Sequence, residues 1–261
     1  MTRSAIRRTK IAYGISDSQF GHLYHAAEHT ELAGSIRPVV LIHGGYWTTE
    51  FSLIIESAIA RQYAECGALV WNVEYRRVGE DGGGWPNTGR DVIAAIGGLD
   101  GPVRESLDRQ IADRVDWNSV AVVGHSAGGQ LAVWAVAQLR ARTATARITT
   151  VVAQSAALDL VAAGKLARPS VQALMGRTYA QAPERYRSAS PAEQDPFDAH
   201  VVAIHGDLDT AIRVDGSRHY VDTVTARGQS AELIVVPGEG HDAFVDPRSA
   251  CSRRTIRALG L

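Results

Sequence analysis

Six short runs rich in valine, isoleucine and leucine recur along the 261-residue chain, at 39–43, 68–74, 119–124, 149–153, 201–205 and 232–236. Most are continuously apolar rather than alternating, which is the pattern of strands covered on both faces of a parallel sheet. Segments with helical character fill the intervals, at 50–66, 90–97, 127–140, 214–227 and 249–259. Strand alternating with helix predicts a doubly wound α/β domain spanning 1–261, mostly parallel. The polar segment 6–25 is expected as an antiparallel hairpin at the sheet edge. The stretch 157–196 breaks the rhythm. It holds one apolar helix candidate at 170–175, followed by a run rich in Ala, Arg, Ser and Pro, and is expected to form a small cap over the site.

Hydrophobic residues make up 45 % of the chain and charged residues 21 %, with a formal net charge of −1. That balance supports a substantial core and gives no general pull toward nucleic acid or anionic membranes. Residues 1–20 carry Arg3, Arg7, Arg8 and Lys10 but no apolar run behind them, so no secretory signal is expected, and no stretch reaches the length of a membrane span. Cys66 and Cys251 are too few and too far apart for a disulfide framework, although a single bridge between them stays open. A reduced, cytoplasmic protein is the simplest expectation. His22, His25 and His29 have metal-like spacing without the intervening glutamate of a zinc-protease helix, so a surface role is expected. No metal or cofactor is implied.

The segment Gly124-His125-Ser126-Ala127-Gly128 carries the most chemistry. Gly-x-Ser-x-Gly places a serine on a tight strand-to-helix turn with its hydroxyl clear of the sheet, and the helix directs its positive end at a developing oxyanion. An apolar strand precedes the motif and a helix follows it, as those mechanics require. The bland alternative is a glycine-rich turn whose serine only caps the helix. Upstream, the strand at 39–42 runs into His43-Gly44-Gly45-Tyr46-Trp47. Paired glycines after a strand let backbone N–H groups turn into a site.

This loop resembles the His-Gly-Gly-x-Trp signature of the arylformamidase (kynurenine formamidase) branch of the α/β-hydrolases, kin of the hormone-sensitive-lipase-like esterases. The resemblance implies that fold, with an oxyanion hole built from the N–H groups of Gly45, Tyr46 and Ala127. It also implies that Trp47 packs beneath the loop and that His43 braces it; Trp47 is further expected to bind substrate, and His125, at the variable position of the elbow, to flank the site and bind substrate. Further landmarks are Tyr13-Gly14, Gly21-His22-Leu23-Tyr24, Asn72-Val73-Glu74-Tyr75-Arg76, Gly84-Trp85-Pro86 with Asp91, and Ser190-Pro191. For these a structural role is expected, with Glu74 and Arg76 pinning loops by ion pairing.

A serine hydroxyl needs a histidine to take its proton and a carboxylate to orient that histidine. His205-Gly206-Asp207-Leu208-Asp209 follows one strand and Gly238-Glu239-Gly240-His241 follows the last. The order Ser126, Asp209, His241 is that of the α/β-hydrolases. The resemblance selects Asp209, and Asp207 remains a competitor two residues away. Arg213 stands near a position where the family often has proline.

These residues point to hydrolysis of a carboxylic ester or small amide through an acyl-enzyme, with arylformamidase as the most specific candidate and a general carboxylesterase beside it. A peptidase is disfavoured because the chain has no room for a restricting propeller, and a lipase by the polar, arginine-containing cap. The alternative outside enzymes is a non-catalytic small-molecule-binding protein. An exposed edge strand, or Arg253, Arg254 and Arg257 of the last helix, could support a homodimer.

Overall fold

The computed structural model describes residues 5–27 and 34–261; Arg3 and His29, weighed above, lie outside it. Eight strands form one sheet: β1 (Ile6–Ala12), β2 (Phe20–Ala26), β3 (Pro38–Ile42), β4 (Leu69–Val73), β5 (Val120–His125), β6 (Ile148–Gln154), β7 (His200–Gly206) and β8 (Ala231–Val236). Their spatial order is β1-β2-β4-β3-β5-β6-β7-β8, with β2 antiparallel to both β1 and β4 and every later pairing parallel. The expected mostly parallel sheet with an antiparallel N-terminal edge is the fold observed.

The continuous apolar runs follow from this two-sided burial. In β3, Val40 and Ile42 join one core while Val39 and Leu41 join the other. The first core packs under α2 (Asn87–Gly97), α5 (Ala127–Gln138) and α9 (Val214–Thr225). The second packs under α1 (Ser57–Glu65) and α10 (Ala250–Leu259). The first strand–helix unit runs β3–α1–β4 to one side of β3, whereas β5–α5–β6 leaves to the other side. The carboxyl ends of β3 and β5 therefore meet at a topological switch point, where open α/β sheets bind ligands.

Boundaries differ from expectation where local chemistry intervenes. The helix expected over 50–66 starts late, because Ser52 is extended at φ −148° and accepts from the Ile54 amide, and Leu53–Glu56 is a 3₁₀ turn before α1. Between α2 and β5 lie two one-turn helices, α3 (Pro102–Glu105) and α4 (Arg109–Ala112). The stretch 157–196 contains three helices rather than one: α6 (Leu160–Lys165), α7 (Pro169–Met175) and α8 (Pro183–Ala189). Asp159 caps α6 by accepting from the Ala162 amide at 2.9 Å, and Pro169 and Pro183 open the next two, where a missing N–H costs nothing. The α8 end is tied to α5 by Trp134 Nε1 and Gln130 Nε2, which donate to the carbonyls of Ser188 and Ala189.

Cys66 and Cys251 are both free. Among the described residues, no helix is long and apolar enough to cross a membrane, and no group of His, Cys, Asp and Glu side chains could hold a metal ion.

Glu56 is fully buried and neither carboxyl oxygen has a hydrogen-bond partner among the described residues. Burial pushes its carboxyl up to about 8 from 4.5. Between those values the unfolded chain has released the proton and the native one retains it, so stability falls as pH rises. The slope approaches about 1.4 kcal/mol per pH unit. Glu56→Gln is expected to flatten the decline in urea-melt stability from pH 5 to 8, and an unchanged slope would refute this role.

Candidate active site

The elbow after β5 is set by its glycines. A Cβ on Gly124 would stand 2.2 Å from the Gly128 carbonyl oxygen, and one on Gly128 would stand 2.2 Å from that of Ile42. Both positions let α5 approach the ends of β3 and β5. Ser126 between them sits at φ 53°, ψ −116°, a backbone region that costs a non-glycine residue of order 1–3 kcal/mol. The turn leaves Ser126 Oγ 3.0 Å from His241 Nε2.

His241 lies in a 3₁₀ turn after β8 and donates from Nδ1 to Asp209 Oδ2 at 2.7 Å. Asp209 follows β7 and is 7 % exposed. Its Oδ1 accepts from the amides of Ala211 and Ile212, each at 2.9 Å, and His205 Nε2 stands 3.2 Å from Oδ2. Burial raises this carboxyl, but hydrogen bonds from His205, His241 and the Ile212 amide outweigh it and hold the group far below the usual carboxylate range. Asp207 points elsewhere, exposed and accepting from the Gly238 amide at 2.7 Å. Of the two carboxylates, Asp209 is the one within hydrogen-bonding distance of His241.

The loop after β3 reverses through three left-handed residues, Gly45 at φ 105°, Tyr46 at 55° and Trp47 at 60°. Buried contacts hold it there. His43 Nδ1 stands 2.7 Å from the Gly44 carbonyl and Nε2 2.7 Å from Glu74 Oε1, while its ring stacks on Tyr75 at 4.4 Å. Glu74 also accepts from the Leu53 and Tyr75 amides and faces Arg77 at 3.5 Å. Trp47 Nε1 donates to Gln130 in α5 at 3.1 Å. Among the described residues nothing accepts from the amides of Gly45, Tyr46 or Ala127. Arg76, expected to pin a loop, does so through paired contacts with Asp91, at 2.8 Å from Nε and 2.7 Å from Nη2.

His125 requires a correction. It was expected to flank the substrate, but it is 4 % exposed and lies behind His241, to whose carbonyl its Nε2 donates at 3.0 Å. Strand alternation turns it into the second core, where its ring meets Phe244. Burial, then the nearby His241, pushes it down to about 3, so it stays neutral. Of the metal-like histidines, His22 and His25 lie on β2, three residues apart in an extended chain and so on opposite faces.

A cavity of about 370 Å³ opens beside Ser126, Tyr46 and Trp47 and runs between the α6–α7 segment and residues 211–219. The contribution of 211–219 had no signal in the sequence beyond its closeness to Asp209. Together the groups can shuttle a proton between Ser126 and His241.

No protein of curated function matches the chain by sequence. Solved structures share its fold at low identity. A truncated carbohydrate esterase from gut microbiota is 20 % identical, with a TM-score of 0.80 over 99 % of this chain and 96 % of that one. Esterase B from Lactobacillus rhamnosis is 15 % identical, with a TM-score of 0.78 over 100 % and 87 %. A bacterial heroin esterase is 21 % identical, with a TM-score of 0.74 over 100 % and 84 %. Residues 39–245, from the first parallel strand to the turn bearing His241, match the alpha/beta hydrolase fold family, and the chain belongs to it.

Proposed function

We propose that this protein is a serine hydrolase that cleaves a carboxylic ester or small amide through an acyl-enzyme. The observation that carries the reading is the relay Asp209 Oδ2–His241–Ser126 Oγ, at 2.7 and 3.0 Å on three separate loops of one sheet. His241 takes the serine proton as Oγ attacks the carbonyl carbon, and Asp209 stabilises the imidazolium that forms. The amides of Gly45, Tyr46 and Ala127 receive the oxyanion. His241 then returns its proton to the leaving oxygen or nitrogen, and water repeats the sequence on the acyl-serine.

Ester hydrolysis is favoured by the names of the similar structures, a carbohydrate esterase, an esterase B and a heroin esterase. The His43-Gly44-Gly45-Tyr46-Trp47 loop makes an aryl formamide the more specific candidate. Two measurements test this. A fluorophosphonate should label Ser126, located by peptide mapping, and a folded protein that takes no label would remove the hydrolase reading. The ratio of kcat/KM for N-formylkynurenine to p-nitrophenyl acetate then separates formamidase from general esterase. Formamidase fails if the formyl amide is the poorer substrate.

A further inference from the structure

The walls of the cavity beside Ser126 are mostly small and apolar. Ala157 and Leu158 come from the loop after β6, Ala163 from α6, Leu166 from the α6–α7 turn and Val171 from α7. Two large apolar side chains that most proteins would bury stand open at this cavity, Leu166 at 70 % and Tyr46 at 49 % exposure. Arg168 and His219 also line the cavity, and three other charged groups there are engaged with one another or with backbone. Arg213 pairs with Asp215 at 3.0 Å, and Asp159 is occupied in capping α6. A formyl or acetyl group would leave nearly all of the 370 Å³ unfilled. The lining surface is mainly apolar, whereas a sugar would require a dense set of donors and acceptors.

We infer that this alanine-lined crevice binds an extended apolar substituent of the substrate, and that Ala163 and Leu166 set the length and gain of that contact. The inference rests on Ser126 being the nucleophile of an acyl transfer. Ala163 is well placed to control depth because its neighbour Gly164 fixes the helix against the core. A Cβ on Gly164 would stand 2.5 Å from the Tyr186 ring, so α6 cannot rotate without a clash. A larger side chain at 163 must then project into the crevice.

The apolar group could belong to the acyl or to the leaving half of the substrate, and two ester series distinguish them. One lengthens the acyl chain of p-nitrophenyl esters from acetyl to octanoyl, and the other lengthens the alcohol of alkyl acetates from methyl to octyl. In the wild-type protein kcat/KM should rise by about fourfold per methylene in one series, as each CH₂ leaves water. Ala163→Phe should lower the long-to-short ratio in that series by about tenfold or more. Leu166→Ala, at an exposed site where folding is not at stake, should lower it by several-fold. If Ala163→Phe does not fold by circular dichroism, Leu166→Ala alone decides. A flat profile in both wild-type series overturns the inference, as does a rise that survives in every folded variant. Failure of the underlying reading looks different: no ester in either series is hydrolysed and Ser126 takes no fluorophosphonate.

Discussion

Ser126→Ala should lower kcat for a short-chain ester by about 10⁵–10⁶-fold while the protein stays folded. The loss is large because in the proposed mechanism the hydroxyl is the covalent nucleophile, which neither His241 nor the loop amides can replace. Folding is expected to survive because, among the described residues, the only side-chain partner of Ser126 Oγ is His241 Nε2, which is partly exposed and can turn to water. Stability adds a second readout. Ser126 occupies φ 53°, ψ −116°, strained for any residue with a Cβ. Ser126→Gly removes that strain at the expense of a more disordered unfolded chain. The glycine variant should therefore be more stable than the alanine variant, by up to about 1 kcal/mol in urea melts. Residual hydrolysis within tenfold of wild type in either variant would show that another group carries the reaction.

Much of this was legible in the sequence for an identifiable reason. Parallel strands buried on both faces must be apolar throughout, so 39–43 and 119–124 announced themselves, and each motif stood directly after such a run. The glycines of the elbow mark close backbone approach, which no other residue permits. What escaped detection depends on contacts distant in sequence. The helices α6 and α8 lack an apolar period of their own and are held by partners elsewhere, as Trp134 and Gln130 hold α8. His125 neighbours Ser126 in sequence, but it is the last residue of β5 and shares the face of Ala121 and Val123, which lie in the second core. The role of His205 beside Asp209 could have been suspected from its four-residue spacing, yet nothing local marks it as buried. The resemblance already favours Asp209 over Asp207, and the loop's geometry adds the contacts that distinguish them.

Asp209 and Asp207 lie two residues apart, the first buried against two histidines and the second exposed, so their substitution should have very different effects. Asp209 accepts four hydrogen bonds or close contacts: two backbone amides on Oδ1, and His241 and His205 on Oδ2. An asparagine there keeps one acceptor oxygen and substitutes an NH₂ group for the other. If the oxygen serves the Ala211 and Ile212 amides, the NH₂ faces His241 Nδ1 and His205 Nε2, both donors. His241 can meet it only by moving its proton to Nε2, the nitrogen that must accept from Ser126. Asp209→Asn should therefore lower kcat by about 10⁴-fold. Asp207→Asn retains an acceptor for the Gly238 amide on an exposed loop and should change kcat by less than about threefold, as surface substitutions do. The same contacts fix a pH signature. Because Asp209 lies well below its ordinary value of 3.8 in the folded chain, its stabilising contribution is complete above that value and is lost as pH falls beneath it. The stability gap between wild type and Asp209→Asn should narrow as the pH falls below about 4. A larger kinetic loss from Asp207→Asn than from Asp209→Asn would reverse the assignment of the two groups.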